Sequence, residues 1–258
     1  MSKDTNVNAM PPIKMVSVVI PARHEQDTIG LVLDALNAAI AGMPRYQFET
    51  LVVVDSMDDL TVQVAEAKGA KVLVNDKLKG KGNALYFGFN RTQGEVIVTF
   101  DSDGSHDPAD LPRFVQALEK GFGLVIGSRV MGGSTDHDVI RLFANALFTV
   151  MVSILFRMTL MDTLNGYKAF RRDVVLGYKS KTKGFDVEIE IVAKAVRKGY
   201  NIVEIPAHES RRAGGRMKSH AIRDGFYLLW ACLREGLSYR VWRLFHPPRT
   251  IPVAAPKP

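Results

Sequence analysis

The sequence has 258 residues, of which 47% are hydrophobic and 24% are charged, a composition typical of a folded domain. This length accommodates one substantial α/β domain with an appendage. The single cysteine, Cys232, excludes an internal disulfide framework and favours a reducing, cytoplasmic location. Residues 1–14 lack the apolar core of a signal peptide and are predicted to be a disordered lead-in.

The net charge of +7 is concentrated at one end of the chain. Residues 207–258 hold ten basic and three acidic residues, a difference that accounts for the whole excess. We therefore expect this segment to meet an anionic partner, such as a phosphate, a nucleic acid or a lipid surface.

Short apolar runs alternate with segments of helical periodicity, the pattern of a doubly wound, mostly parallel α/β sheet with helices on both faces. The predicted strands are Met15–Pro21, Thr50–Asp55, Lys71–Val74, Glu95–Phe100, Gly123–Gly127 and Asn201–Ile205. The predicted helices are Asp27–Ala41, Thr61–Lys68, Lys81–Arg91, Pro108–Lys120, Arg141–Arg157, Phe185–Lys198 and about His220–Leu244. Ligands of such sheets bind beyond the carboxyl ends of the strands.

Two predicted helices bear on membrane association. The helix 141–157 is apolar but shorter than the ~20 residues needed to span a bilayer, so we interpret it as buried or interfacial. Residues 220–245 interleave Trp, Tyr and Leu with arginines, which predicts an amphipathic helix on a peripheral membrane surface. The alternative is a helix packed on the core with a basic face in solvent. Residues 246–258 contain five prolines and are predicted to be an unstructured tail.

The predicted fourth strand ends in the most informative motif. Asp101 and Asp103 follow it at i, i+2, where both carboxylates can reach one Mg²⁺ or Mn²⁺ ion that also binds substrate phosphates. The alternative, an Asp-rich turn that caps the helix at Pro108, accounts for Asp107 but not for the first two aspartates.

Other strand ends predict a nucleotide pocket. Asp55 follows the second strand and can accept hydrogen bonds from a base or ribose, and Glu25, after the first strand, can reach the same pocket. Asp58 and Asp59 are alternatively helix caps. The glycines of 79–84 open a helix whose N-terminus favours anions, although a plain tight turn explains them equally well.

Taken in order, these pieces resemble family-2 glycosyltransferases with the GT-A fold, in particular synthases of dolichyl- and polyprenyl-phosphate sugars. The resemblance spans Val16–Lys218 and rests on Pro21–Glu25, Val54–Thr61, Asp101–Pro108, Gly127–Arg129, Asp162–Phe170, Gly184–Glu190 and the basic residues after Pro206. Val54 departs from the family pattern, in which an Asp stands at that position, and Met217 departs from a Ser.

The resemblance implies a catalytic domain over 15–219 and a set of site residues. The implied catalytic residues are Asp101, Asp103, Arg129, Arg141, Glu190 and Arg212, and the implied metal ligands are Asp101, Asp103 and Ser105. The implied donor-binding residues are Pro21, Ala22, Glu25, Asp55, Lys81, Gly82, Asp101, Ser102, Asp103, Arg212 and Lys218. The implied acceptor-binding residues are Arg129, Arg141, Asp162, Asn165 and Gly166.

The implied reaction is an inverting transfer of a sugar from a nucleotide-sugar donor, GDP-mannose or a UDP-sugar, to polyprenyl or dolichyl phosphate. It would take place on the cytosolic side of an inner or endoplasmic-reticulum-type membrane, and the resemblance allows for a membrane-embedded partner protein. A phosphate acceptor needs no general base, whereas a hydroxyl acceptor needs a carboxylate such as Asp162, Glu190 or Asp138.

Three alternatives stand beside this interpretation. One is a glycosyltransferase that acts on a soluble or glycan hydroxyl. Another is a nucleotidyltransferase, disfavoured because residues 21–25 do not resemble its Gly-rich first loop. The third is a nucleic-acid-binding protein, disfavoured because residues 1–206 carry equal numbers of basic and acidic residues. We therefore expect no nucleic-acid partner.

Overall fold

The computed structural model describes residues 10–57, 59–135, 139–176, 180–214 and 221–246, without the side chains of 140, 141 and 221–223. Several predictions lie outside these residues: most of the lead-in, the tail beyond His246, Asp58, Asp138, Met217, Lys218 and the side chain of Arg141.

The strands and helices predicted from the sequence are all present, with ends shifted by a few residues. The strands are β1 Met15–Pro21, β2 Gln47–Val54, β3 Lys71–Val74, β4 Val96–Thr99, β5 Leu124–Ser128, β6 Lys168–Arg171 and β7 Ile202–Pro206. The α-helices are α1 Ile29–Ala41, α2 Thr61–Ala67, α3 Lys81–Phe89, α4 Leu111–Glu119, α5 Arg129–Gly132, α6 Val139–Phe156, α7 Val187–Arg197 and α8 Ala221–Phe245.

The described strands form one seven-stranded sheet in the order β3-β2-β1-β4-β6-β5-β7. β1 pairs in parallel with both β2 and β4, so the carboxyl ends of these three strands lie at one edge. Alternate residues of the strands face opposite sides of the sheet. Val16 and Val18 pack on one side with α1 and α4, while Val19 and Leu51 pack on the other with α3, α6, α7 and α8.

The sequence prediction missed β6, which is antiparallel to both β4 and β5. The strand reads Lys-Ala-Phe-Arg, and all four residues are buried. Its charged ends conceal it, because Lys and Arg are rarely buried unless they are paired. Both have partners here: Lys168 forms an ion pair with Glu188, and Arg171 donates to the backbone carbonyls of Pro11 and Leu118.

Helices α6 and α8 pack against each other and against α7. α8 buries Leu228, Ala231, Cys232 and Tyr239 in the core. The helix is therefore docked on the core, as the alternative interpretation expected. Its outer side also carries exposed apolar side chains, including Trp230. Among the described residues, no helix combines the length and the hydropathy that crossing a bilayer requires.

Candidate active site

A cavity of about 450 Å³ opens at the carboxyl ends of β1, β2 and β4, where sheets of this kind bind ligands. It brings together nine of the predicted donor-binding residues: Pro21, Ala22, Glu25, Asp55, Lys81, Asp101, Ser102, Asp103 and Arg212. These residues come from five separate parts of the chain, so their convergence depends on the fold and not on sequence proximity.

The loop after β4 fixes the two aspartates through its own hydrogen bonds. Asp103 Oδ1 accepts from the backbone N–H of Ser105 at 3.0 Å and from its hydroxyl at 2.7 Å. The backbone N–H of Asp101 donates to Nδ1 of buried His106 at 3.3 Å. The predicted ligand Ser105 therefore supports the Asp103 carboxylate in this geometry. Asp107 accepts from the backbone N–H of Ala109 and caps the following turn, as the alternative interpretation expected of that residue.

A basic side chain lies against each of the two carboxylates. Lys81 Nζ is 2.8 Å from Asp101 Oδ1, and Arg212 NH2 is 3.0 Å from Asp103 Oδ2. Burial alone would raise the pKa of Asp101, but Lys81, with help from His106 and Arg212, holds it well below its usual value. Conversely, burial would lower the pKa of Lys81, and Asp101 and Glu188 raise it above its usual value instead. The site is thus anionic and cationic at once, with its charges matched in pairs.

Asp55 and Glu25, the two carboxylates predicted to bind the nucleoside, both line the cavity. Asp55 Oδ2 lies 3.1 Å from Arg23 Nε. Glu25 is buried, and its Oε2 accepts from the Thr28 hydroxyl at 3.2 Å. Asp59 instead accepts from the backbone N–H groups of Thr61 and His24. Its carboxylate therefore binds the first N–H of α2, in agreement with the capping interpretation.

The predicted phosphate-binding turn leads into the N-terminus of α3. Gly80 adopts φ of +108° and packs so closely on the backbone that a Cβ there would lie 2.2 Å from the Lys183 carbonyl oxygen. Gly82 is buried beside the same segment. These close approaches place the Lys81 side chain at the cavity. The helix N-terminus also favours an anion there, although the Gly82 N–H itself donates to the Lys183 carbonyl at 3.1 Å.

Two of the predicted acceptor residues form a separate cluster outside the cavity lining. Arg129 donates through Nε and NH2 to the two oxygens of Asp162, both at 2.7 Å. This bidentate pair, with Glu209 nearby, raises the pKa of Arg129 against the opposing effect of burial. Burial would raise the pKa of Asp162, but Arg129 and Asn145 lower it.

The other two described acceptor residues lie in the loop before β6. Asn165 Oδ1 accepts from the backbone N–H of Tyr167 at 2.9 Å. Gly166 lies against Asp101 and Lys81. A Cβ at this position would fall 2.6 Å from Asp101 Oδ2 and 2.8 Å from Lys81 Nζ. The loop therefore forms the floor under the paired charges.

Glu190, which the resemblance assigned to catalysis, is buried away from the cavity. It pairs with Lys194 at 2.7 Å and accepts from the Tyr86 hydroxyl at 3.1 Å. The carboxylate of α7 that reaches the site is Glu188, whose Oε1 lies 3.2 Å from Lys81 Nζ. Side chains two residues apart on a helix point about 200° from each other. The rotation of α7 about its axis therefore decides whether Glu188 or Glu190 faces the site.

Sequence reasoning also missed two cavity residues on α8. Asp224 and Tyr227 line the same cavity as the aspartates of the β4 loop. Their i, i+3 spacing places them on one face of the helix, but the many apolar residues around them conceal that signal. The predicted membrane helix is thus also a wall of the site.

The donor set fits a divalent cation that is shared with a substrate. Among the described residues, no three His, Cys, Asp or Glu side chains gather into an all-protein metal cage. Mg²⁺ is commonly held by one or two carboxylates together with substrate phosphates and water. Asp101 and Asp103, both at the cavity, supply hard oxygen ligands of this kind.

The comparisons with known proteins agree with this geometry. The family model for glycosyl transferase family 2 matches residues 17–177, more than half of the chain. The chain belongs to this family. Dolichol-phosphate mannosyltransferase of Pyrococcus furiosus is 29% identical over 211 residues, which cover 79% of this chain and 58% of that protein. Polyprenol monophosphomannose synthase of Mycolicibacterium smegmatis is 28% identical over 232 residues, 84% of this chain and 86% of that protein.

A solved family-like structure confirms the expected GT-A architecture. Glucosyl-3-phosphoglycerate synthase from Mycobacterium tuberculosis, crystallised with Mn²⁺, UDP and phosphoglyceric acid, superposes with a TM-score of 0.66. The match covers 86% of this chain and 78% of that chain at 24% identity, a likeness that shows the fold.

Replacing Gly166 with Ala tests the floor of the site. The added Cβ would lie 2.6 Å from Asp101 Oδ2 and 2.8 Å from Lys81 Nζ, so the ion pair must move. We expect Gly166→Ala to weaken binding of UDP or GDP with Mn²⁺ by about ten-fold or more, measured by calorimetry, while circular dichroism stays native. The control is Gly225→Ala, where a Cβ meets nothing within 4 Å. Unchanged binding by Gly166→Ala would contradict the assignment.

Proposed function

We propose that the protein transfers a sugar from a nucleotide diphosphate, GDP-mannose or a UDP-sugar, to the phosphate of a polyprenyl or dolichyl phosphate. The observation that carries this proposal is the cavity at the β1–β2–β4 edge, where Asp101 and Asp103 lie against Lys81 and Arg212. The relatives named for transfer to dolichol or polyprenol phosphates support the acceptor class.

The donor diphosphate would lie over the paired charges. A divalent ion, Mg²⁺ or Mn²⁺, held by Asp101 and Asp103 would neutralise part of the charge that develops on the departing diphosphate. Lys81 and Arg212 already lie at these carboxylates. Their positive charges are therefore in place to stabilise the phosphate oxygens of the departing diphosphate. Asp55 and Glu25 would accept hydrogen bonds from the nucleoside.

The carboxylates near the acceptor side favour an acceptor that is already anionic. Asp162 accepts hydrogen bonds from the backbone N–H, Nε and NH2 of Arg129 and from Asn145. Glu190 is paired with Lys194 away from the cavity. Of the described candidates for a general base, neither is arranged to take a proton from a hydroxyl. A phosphate acceptor requires no such base, and inversion by its direct attack is what the family resemblance implies.

The surface of α6 and α8 supports the lipid nature of that acceptor. The apolar side chains exposed there range from 39% to 79% exposed and include Leu142, Phe143, Leu147, Val150 and Ile154 of α6 and Phe226, Trp230, Leu233, Leu237, Val241 and Leu244 of α8. These side chains recur at helical spacing along each helix, and exposed apolar faces of this kind mark interaction sites. We assign them to a membrane surface, because α8 also lines the donor cavity. The cytosolic side of an inner or endoplasmic-reticulum-type membrane is what the family resemblance implies. A membrane-embedded partner is a further prediction of the resemblance.

The acceptor is tested by incubating the protein with radiolabelled GDP-mannose and UDP-sugars, Mn²⁺ and vesicles that contain polyprenyl phosphate. We expect labelled product in the organic phase, with a mass equal to the lipid phosphate plus one glycosyl residue, that is, the sugar less one water. Vesicles that contain the corresponding unphosphorylated polyprenol are the control and should give no such product, because neither described candidate base, Asp162 or Glu190, is arranged to take the proton of a hydroxyl. Transfer to a soluble sugar or protein in place of the lipid would overturn the proposal.

Membrane association is tested by removing apolar side chains from the α6–α8 surface. Phe143 is 71% exposed and Trp230 is 58% exposed, and each exposed large side chain contributes about 1.5–3 kcal/mol when buried. We expect Phe143→Ser with Trp230→Ser to reduce co-sedimentation with anionic vesicles by roughly ten-fold or more. The matched control changes Leu31 and Leu60, 65% and 57% exposed, to Ser. Equal loss in both double variants would contradict a specific membrane surface.

A further inference from the structure

Helix α7 carries two buried carboxylates that face different parts of the protein. Glu188 and Glu190 are 0% and 2% exposed, and each has a lysine partner within 2.7 Å. Glu190 contacts Lys194 of the same helix and the Tyr86 hydroxyl of α3, both outside the cavity lining. Glu188 contacts Lys81, which lines the cavity, and Lys168 of β6, so this carboxylate connects separate elements of the site.

On the donor side, Glu188 contacts the lysine at the base of the cavity. Lys81 Nζ lies 3.2 Å from Glu188 Oε1, an ion-pair distance without hydrogen-bond alignment, and 2.8 Å from Asp101 Oδ1. Lys81 is therefore shared between a carboxylate that faces the cavity and one that is fully buried. Without the carboxylate of Glu188, Lys81 would pair with Asp101 alone.

On the other side, Glu188 anchors the loop that forms the floor of the site. Its Oε2 lies 2.6 Å from Nζ of the fully buried Lys168. The same Nζ donates to the backbone carbonyls of Thr163 and Asn165. Those residues precede Gly166, which lies against Asp101 and Lys81. A continuous chain of contacts thus runs from the Asp162–Phe170 segment through Lys168 and Glu188 to Lys81.

We propose that Glu188 is a positioning residue for the donor site. It shares the charge of Lys81 with Asp101, so that Lys81 does not fully neutralise Asp101, and it connects Lys81 through Lys168 to the loop before β6. The proposal rests on the proposed function, because Asp101 matters only if it receives a donor–cation complex. Glu188 acts through Lys81 and does not touch the donor. The functional carboxylate of the Gly184–Glu190 segment is then Glu188 and not Glu190.

The test measures binding of UDP and of GDP in the presence of Mn²⁺ by calorimetry, with no acceptor present. Glu188→Gln keeps the size of the side chain and removes its charge. We expect the affinity of the nucleotide that binds to fall by about ten-fold or more, because Lys81 then pairs with Asp101 alone. Glu188→Asp, which keeps the charge, should recover part of that loss.

Two further variants separate positioning from folding. Glu188→Gln leaves Lys168 buried without its counter-ion, so the melting temperature of this variant will fall. Adding Lys168→Met removes that stranded charge, and we expect the double variant to regain melting temperature but not nucleotide affinity. Glu235→Gln is the matched control, because Glu235 is a buried carboxylate paired with Arg197 and Arg234 outside the cavity lining.

Three results would overturn the inference: unchanged nucleotide affinity in Glu188→Gln, recovery of both properties in the double variant, or an equal loss of affinity in Glu235→Gln. A loss of affinity in Glu190→Gln alone would return the role to Glu190. The proposed function fails differently, since it fails if the unaltered chain binds neither nucleotide with Mn²⁺ or makes no lipid product. Those measurements are made on the unaltered chain, so the two failures are distinguishable.

Discussion

The site depends on holding two carboxylates close together in a partly buried position at the end of β4. Like charges so close repel one another unless cations lie beside them. Lys81 and Arg212 supply those cations, at 2.8 and 3.0 Å from Asp101 and Asp103. In the proposed function, a divalent cation would bind the carboxylates while the two basic side chains turn to phosphate. The rest of the fold serves to bring these four groups together.

Helix α8 links this electrostatic centre to the surface of the molecule. Asp224 and Tyr227 line the cavity, while Trp230, one turn further on, is 58% exposed. A few turns of α8 thus separate the cavity from the apolar face that is proposed to lie on the membrane. An acceptor with an anionic head and an apolar chain would suit this arrangement, since its phosphate would reach the basic side chains of the site while its chain stays in lipid. A freely soluble acceptor would leave that apolar face unexplained.

Local patterns predicted the parts of the site that a single strand end determines. Asp101, Asp103 and Asp55 follow apolar strands, and the convergence of parallel strands at one edge brings them together. What escaped prediction depends on nonlocal partners. Both charged ends of strand β6 are buried against distant partners, Lys168 against Glu188 and Arg171 against the carbonyls of Pro11 and Leu118. The choice between Glu188 and Glu190 needed the phase of α7, and the cavity face of α8 needed its packing against α6 and α7.

The central claim is that Asp101 and Asp103 jointly hold a divalent cation that binds the donor diphosphate. Replacing both with Asn preserves their size and removes their charge, so electron paramagnetic resonance of Mn²⁺ titrated with UDP or GDP measures the claim directly. The account predicts that the unaltered protein immobilises Mn²⁺ together with nucleotide and that the double Asn variant, although folded, does not. Nucleotide-supported Mn²⁺ binding of equal strength in both proteins would contradict it.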